Sequence, residues 1–186
     1  MRKTPTYFER DWSGDRSRVV NQVHSGCEWV AAGEGVATRK IDGTCCMVRG
    51  GALFKRRELR KGETAPPLFE TADHDDETGK TVGWIPVEPS NAGDKYHAEA
   101  FGDGNGFEDG TYELVGPKVQ GNPEGYVAHT LVSHSSLVLA DQPPRDFDGL
   151  REWMAGKDIE GVVWHHPDGR MAKLKLRDFG IKRARA

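Results

Sequence analysis

Residues 35–58, GVATRKIDGTCCMVRGGALFKRRE, constrain the fold more than any other stretch of the chain. Strand-favouring residues recur there without the three-to-four-residue spacing of an amphipathic helix. Inside the run, Gly50-Gly51 calls for a chain reversal, because glycine accepts the positive φ of a tight turn. Similar short runs follow or precede it: GCEWVAA (26–32), VGWIPVE (82–88), GTYELVG (110–116), SHSSLVLA (133–140), IEGVVWHH (159–166) and MAKLKLRDF (171–179). Turn signals separate them at Ser90-Asn91, Asn122-Pro123, Pro143-Pro144 and Pro167-Asp168-Gly169. The last of these predicts a hairpin tip within HHPDGRMAKLK. One helix is predicted over residues 146–156, capped by Asp146 or Asp148, with Leu150, Trp153 and Met154 as its apolar stripe. A second is predicted over residues 12–23, and the polar stretch 62–80 reads as a loop. No internal repeat or long linker is visible. The fold class that results is α+β, dominated by antiparallel sheet, in a single domain spanning residues 1–186.

Hydrophobic residues make up 36% and charged residues 30%, so the chain as a whole is polar but not disordered in composition. No apolar run approaches the roughly 18–20 residues of a membrane span, and the first residues lack an apolar signal core. The expected compartment is the cytoplasm, with no membrane contact and no obligate protein partner. Cys27, Cys45 and Cys46 make a poor disulfide framework, and no CxxC pair suggests a zinc site. Adjacent on a strand, Cys45 and Cys46 face opposite ways and read as small buried hydrophobes. The net charge of −3 conceals two basic clusters. One is Lys55, Arg56, Arg57, Arg60 and Lys61; the other is the tail from Gly169 onward, and local field rather than net charge is what a phosphate meets.

Several pattern matches fail on inspection. ETGKT (77–81) ends like a phosphate-binding loop, but the glycine required at position 74 is His74. Asp73, Asp75 and Glu77 alternate as in a calcium loop, yet the sixth position is Thr78 and the twelfth Trp84. GDGNG (102–106) lacks the third glycine at the right offset. His165 and His166 are adjacent on a strand and cannot share a metal easily, and His129 and His134 have no ligand-spaced partner. Trp164 reads as core, and Trp84 as core or a stacking platform.

The chemistry concentrates elsewhere. Lys40 and Asp42 have period-two spacing and would share a strand face, with Gly43 allowing close approach of a ligand to the backbone. A lysine becomes a nucleophile when neighbouring cations disfavour its ammonium form. Glu113 lies within an apolar strand, Glu160 opens another and precedes Gly161, and Lys173 and Lys175 alternate on a third. Selected charges on otherwise apolar strands fit a shared pocket.

In order, KIDG, YELVG, EGVV and KLK resemble motifs I, III, IV and V of the covalent nucleotidyltransferases, namely RNA ligases, DNA ligases and capping guanylyltransferases. RKIDGTCC, GWIPVE, ELVGPKVQGNPEG and IEGVVWHHPDGRMAKLK are similar to the stand-alone 5'-to-3' RNA ligases of vertebrates and some viruses, over roughly residues 7–182. The resemblance implies an antiparallel-sheet-rich adenylation domain of the ATP-grasp-like ligase type. The short spacers and the end soon after motif V leave no room for a C-terminal OB domain, which points away from DNA ligases and capping enzymes.

By that resemblance Lys40 attacks the α-phosphorus of ATP to form lysyl-AMP. AMP then passes to an RNA 5'-phosphate, and a 3'-hydroxyl displaces it. Lys173 and Lys175 would neutralise the phosphates and depress the pKa of Lys40. Glu160 would organise Mg2+ (or Mn2+), and Glu113 would accept from the ribose hydroxyls. Arg56 or Arg57 would contact nucleotide or RNA phosphate, with Arg56 preferred because it shares strand parity with Phe54. Asp42 would support Lys40. Capping with GTP, DNA ligation, or a non-catalytic RNA-end binding module remain as alternatives.

Overall fold

A computed structural model describes residues 3–76 and 78–183. Glu77 of the acidic stretch and residues 184–186 of the basic tail lie outside the described residues. In chain order the elements are β1 (Phe8–Arg10), β2 (Val19–Val23), α1 (Glu28–Ala31), β3 (Val36–Lys40), β4 (Thr44–Arg49), β5 (Ala52–Leu59), β6 (Glu70–Asp75), β7 (Lys80–Pro86), α2 (Lys95–Phe101), β8 (Gly110–Val115), β9 (Thr130–Ser133), α3 (Phe147–Ala155), β10 (Gly161–His165) and β11 (Met171–Lys175). The described chain is sheet-rich and antiparallel, with few helices, as an α+β class requires. The described residues form two compact units: Lys3 with those of 42–134, and Thr4–Ile41 with residues 135–183.

The second of these, the three-strand unit, has a sheet ordered β11-β10-β3 and a β1-β2 ribbon. Alternation along its strands separates two faces. Ala37, Val162, Trp164, Ala172 and Leu174 are all fully buried and belong to one core with Tyr7, Phe8 and, from α3, Leu150 and Met154. The opposite face carries Thr38, Lys40, Val163, Lys173 and Lys175, as the register shows. The helix predicted over 146–156 forms as α3, with the Asp146 side chain accepting from Gly149 N–H at 2.8 Å. The hairpin is also present: β10 pairs with β11, His166 N–H donates to Arg170 O, and Gly169 adopts φ +91°.

Three expectations along the chain are overturned. Residues 12–23 hold no helix; the β-branched Val19 and Val23 pair with β1 instead, after a turn in which Asp11 and Asp15 side chains accept from Gly14 and Ser17 N–H. GCEWVAA forms the one-turn α1 rather than a strand, too short for any periodicity to show. In SHSSLVLA the continuous strand expected is not formed: β9 of the six-strand unit stops at Ser133, and Val138 makes a single antiparallel bridge to Thr38, with Leu137 O accepting from Arg39 N–H and Leu139 N–H donating to Ala37 O.

The six-strand unit has the order β6-β7-β5-β4-β8-β9, antiparallel throughout. Cys46, Val48, Leu53, Tyr112, Leu114 and Leu131 form its core on one face, against Tyr96 and Ala100 of α2. The start of α2 is fixed by the buried Asp94, which pairs with Lys55 and accepts from Glu88 N–H. Sequence reading missed α2. It also took 62–80 as a loop, whereas Glu70–Asp75 forms β6, a polar edge strand without apolar alternation.

Among the described residues no helix is long and apolar enough to cross a membrane. Leu150 of α3 is fully buried in the three-strand core, so Leu150→Ala should lower the unfolding free energy by about 2–5 kcal/mol. Trp12→Ala, at a 63% exposed position, should change it by less than about 0.5 kcal/mol. Chemical denaturation of both variants checks this.

Candidate active site

In the three-strand unit, β10 aligns Gly161 with Lys40 of β3 on one side and Lys175 of β11 on the other. Gly161 therefore sits between two lysines on one face and brings no side chain of its own. A Cβ there would lie 2.2 Å from Leu174 O, so the backbone packing excludes any larger residue. Glu160, just before it, reaches both lysines. Its Oε2 accepts from Lys40 Nζ at 2.6 Å and its Oε1 pairs with Lys175 Nζ at 2.5 Å. Lys40 Nζ also donates to Ile41 O at 3.2 Å. Side-chain exposures of 13–19% leave the cluster largely shielded from solvent. Burial works against the Glu160 carboxylate, but the charges of Lys40 and Lys175 outweigh it and hold its pKa below the ordinary range. Lys173 lies on the same face, opposite Val163.

In the six-strand unit, Glu113 is 8% exposed and pairs in register with Cys45. Glu113 Oε1 accepts from Gly43 N–H at 3.2 Å, and Oε2 lies 2.7 Å from His134 Nε2. His134 Nδ1 is 2.9 Å from Thr111 Oγ1. Arg56 shares this face: β4 and β5 pair Cys46 with Lys55, so the next positions, Cys45 and Arg56, lie together on the side of Glu113, with the Arg56 guanidinium beside the Cys45 thiol. Burial, then the Glu113 charge, push that thiol up to about 11 against the opposing pull of Arg56. Arg57 points elsewhere, is half exposed, and pairs with Glu63. Asp42 N–H donates to Glu124 Oε1 at 3.1 Å.

The site residues named from sequence thus fall into two groups. Lys40, Glu160 and Lys175 are joined by ion pairs, with Lys173 on their face. Glu113, Gly43 and Arg56 surround Cys45, while Asp42 is tied to Glu124. The strand-face link between Lys40 and Asp42 is overturned: β3 ends at Lys40, β4 begins at Thr44, and the two residues belong to different units. The N–H groups of Asp42 and Gly43 bond to side-chain carboxylates instead of a ladder. Gly43 has its own steric cause, since a Cβ would lie 2.2 Å from Leu114 O.

Sequence reading treated Cys45 as a packing residue and gave His134 no partner; both in fact adjoin Glu113. Of the adjacent pair, Cys46 alone packs in the core. His134 follows Val132, the register partner of Glu113, by two residues, a relation visible only once β8 and β9 are paired. Cys45, Glu113 and His134 each have a donor atom within 4.8 Å of the others, the one such grouping of metal-ligating side chains among the described residues. At Glu160, by contrast, both oxygens are already taken by lysines.

A family model described as RNA ligase 1 matches residues 104–186, a span that includes Glu113, His134, Glu160, Lys173 and Lys175. RNA ligase 1 of Danio rerio is 29% identical over 220 residues, covering 78% of this chain and 67% of that protein. The chain is therefore similar to RNA ligase 1 proteins over most of its length. RNA ligase 1 of Rattus norvegicus is 25% identical and that of Pongo abelii 24%, each over 78% of this chain and 67% of the relative.

The charge arrangement around Glu160 has a measurable pH signature. Because the folded-state pKa of Glu160 is lowered, its ion pairs stabilise the fold above the ordinary value of 4.5 and lose that contribution as pH falls through the lower folded value. Glu160→Gln should therefore flatten the acid limb of stability against pH. Denaturation midpoints from about pH 3 to pH 7 test this, and an unchanged acid limb contradicts it.

Proposed function

We propose that the chain is an ATP-dependent RNA ligase of the covalent nucleotidyltransferase type, with Lys40 as its nucleophile. The observation that carries this reading is the Lys40–Glu160–Lys175 cluster assembled around Gly161. A largely shielded carboxylate bracketed by two lysines is unusual for a sheet surface, where an exposed ion pair contributes only about 0–1 kcal/mol. It suits a site that must manage phosphate charge.

The chemistry proceeds in three transfers. The neutral Lys40 amine attacks the α-phosphorus of ATP, a P–N bond forms, the bond to pyrophosphate breaks, and the amine proton leaves. An RNA 5'-phosphate oxygen then attacks the same phosphorus and releases Lys40. Finally a 3'-hydroxyl attacks the RNA 5'-phosphorus, AMP leaves, and a phosphodiester remains. Lys175 and Lys173 supply positive charge where negative charge gathers on the phosphates. Arg56 adds a further cation for nucleotide or RNA phosphate, and buried Glu113 accepts from ribose hydroxyls. Mg2+ (or Mn2+) would supply charge neutralisation on the phosphates, with Glu160 as its ligand or the acceptor for its waters. Glu160 must release at least one lysine to take that part.

Incubation with labelled ATP and Mg2+ should give a covalent protein–AMP adduct, absent in Lys40→Ala. Lys175→Ala should slow its formation by on the order of 100- to 1,000-fold. The adduct should then be consumed by 5'-phosphorylated RNA, with sealing of a 3'-hydroxyl end. No label from ATP, or preferential labelling from GTP, contradicts the reading.

A further inference from the structure

The Glu113 carboxylate is held from both oxygens by its own unit. Gly43 N–H donates to Oε1 at 3.2 Å and His134 Nε2 meets Oε2 at 2.7 Å. A carboxylate only accepts, so the proton of that second bond belongs to His134 Nε2. In a neutral imidazole Nδ1 is then the acceptor, and Thr111 Oγ1, 2.9 Å away, donates its hydroxyl proton to it. A further bond, His134 N–H to Thr111 O at 3.1 Å, ties the end of β9 to β8 and fixes the imidazole's backbone. The result is a directed chain, Thr111 to His134 to Glu113, lying within one unit.

We infer that His134, set by Thr111, is a positioning residue that makes Glu113 selective for ribose hydroxyls. This rests on the reading of Glu113 as the ribose acceptor. Each carboxylate oxygen offers about two acceptor directions, and the protein uses one on each. Two remain, matching the two vicinal hydroxyls of a ribonucleotide. Without His134, the carboxylate is free to change rotamer, and the Arg56 guanidinium beside Cys45 is a competing charged partner on the same face. His134 is placed to prevent that movement, with a side chain 23% exposed against 10% for Glu113. The Cys45–Glu113–His134 grouping needs no ion to explain its compactness, since these hydrogen bonds already account for it.

The test measures KM and kcat for adduct formation with ATP and with 2',3'-dideoxy-ATP, in wild-type protein, His134→Ala, His134→Gln and Thr111→Val. His134→Ala should raise KM for ATP about tenfold, the size of one charge-assisted hydrogen bond, with KM for the dideoxy nucleotide and kcat nearly unchanged. His134→Gln, whose amide N–H can stand in for Nε2–H, should recover most of the discrimination. Thr111→Val should lose part of it. Equal rises in KM for both nucleotides, or no rise for either, overturn the positioning role. If wild-type protein forms adduct but does not distinguish the two nucleotides, Glu113 does not read the ribose and the inference fails with it. Absence of adduct in wild-type protein refutes the ligase reading itself, and this inference with it.

Discussion

The carboxylate of Glu160 is shared by two ammonium groups, and much of the three-strand unit is arranged to make this possible. Lys40 and Lys175 come from strands on either side of β10. They meet one carboxylate because Gly161, the residue between them in register, has no side chain. Two like charges brought this close repel unless a counter-charge lies between them. Removing Glu160 would leave two half-buried cations unpaired, whereas keeping it balances them and lowers its own pKa. Apart from Arg39, the opposite face of the same three strands is apolar, so packing of Trp164 and Leu174 with Leu150 and Met154 of α3 sets the register that aligns the charges.

The six-strand unit repeats the device with different chemistry. Gly43, like Gly161, is forced by the carbonyl of a neighbouring strand, and a carboxylate is recruited beside it. There the partners of the carboxylate are an N–H group and an imidazole rather than lysines. Both units therefore place an acid where a glycine lets a strand approach closely. In both, the residues that face away from the acid build the core.

What was legible in the sequence follows from the range of the interactions involved. Period-two alternation is local, so the common face of Lys173 and Lys175, the strand around Glu113 and the cap of α3 could all be read directly. The ordered set of motifs pointed to RNA ligases, and the relatives carry that name. Contacts that depend on strand pairing could not be read in this way. His134 and Cys45 approach Glu113 from two other strands, and Glu124 reaches Asp42 across many residues. The strand reading of Asp42 failed because side-chain carboxylates capture the N–H groups that a continued strand would have paired. The helix expected at 12–23 failed because β-branched valines found a strand partner, and β6 was hidden by the polarity that an edge strand tolerates.

The most direct test is to locate the nucleotide. Wild-type protein incubated with ATP and Mg2+, then digested and mapped by tandem mass spectrometry, should carry AMP on the Lys40 side chain and on no other residue. AMP on Lys173, Lys175 or another residue, or a chain left unmodified while RNA ends are sealed, contradicts Lys40 as the nucleophile.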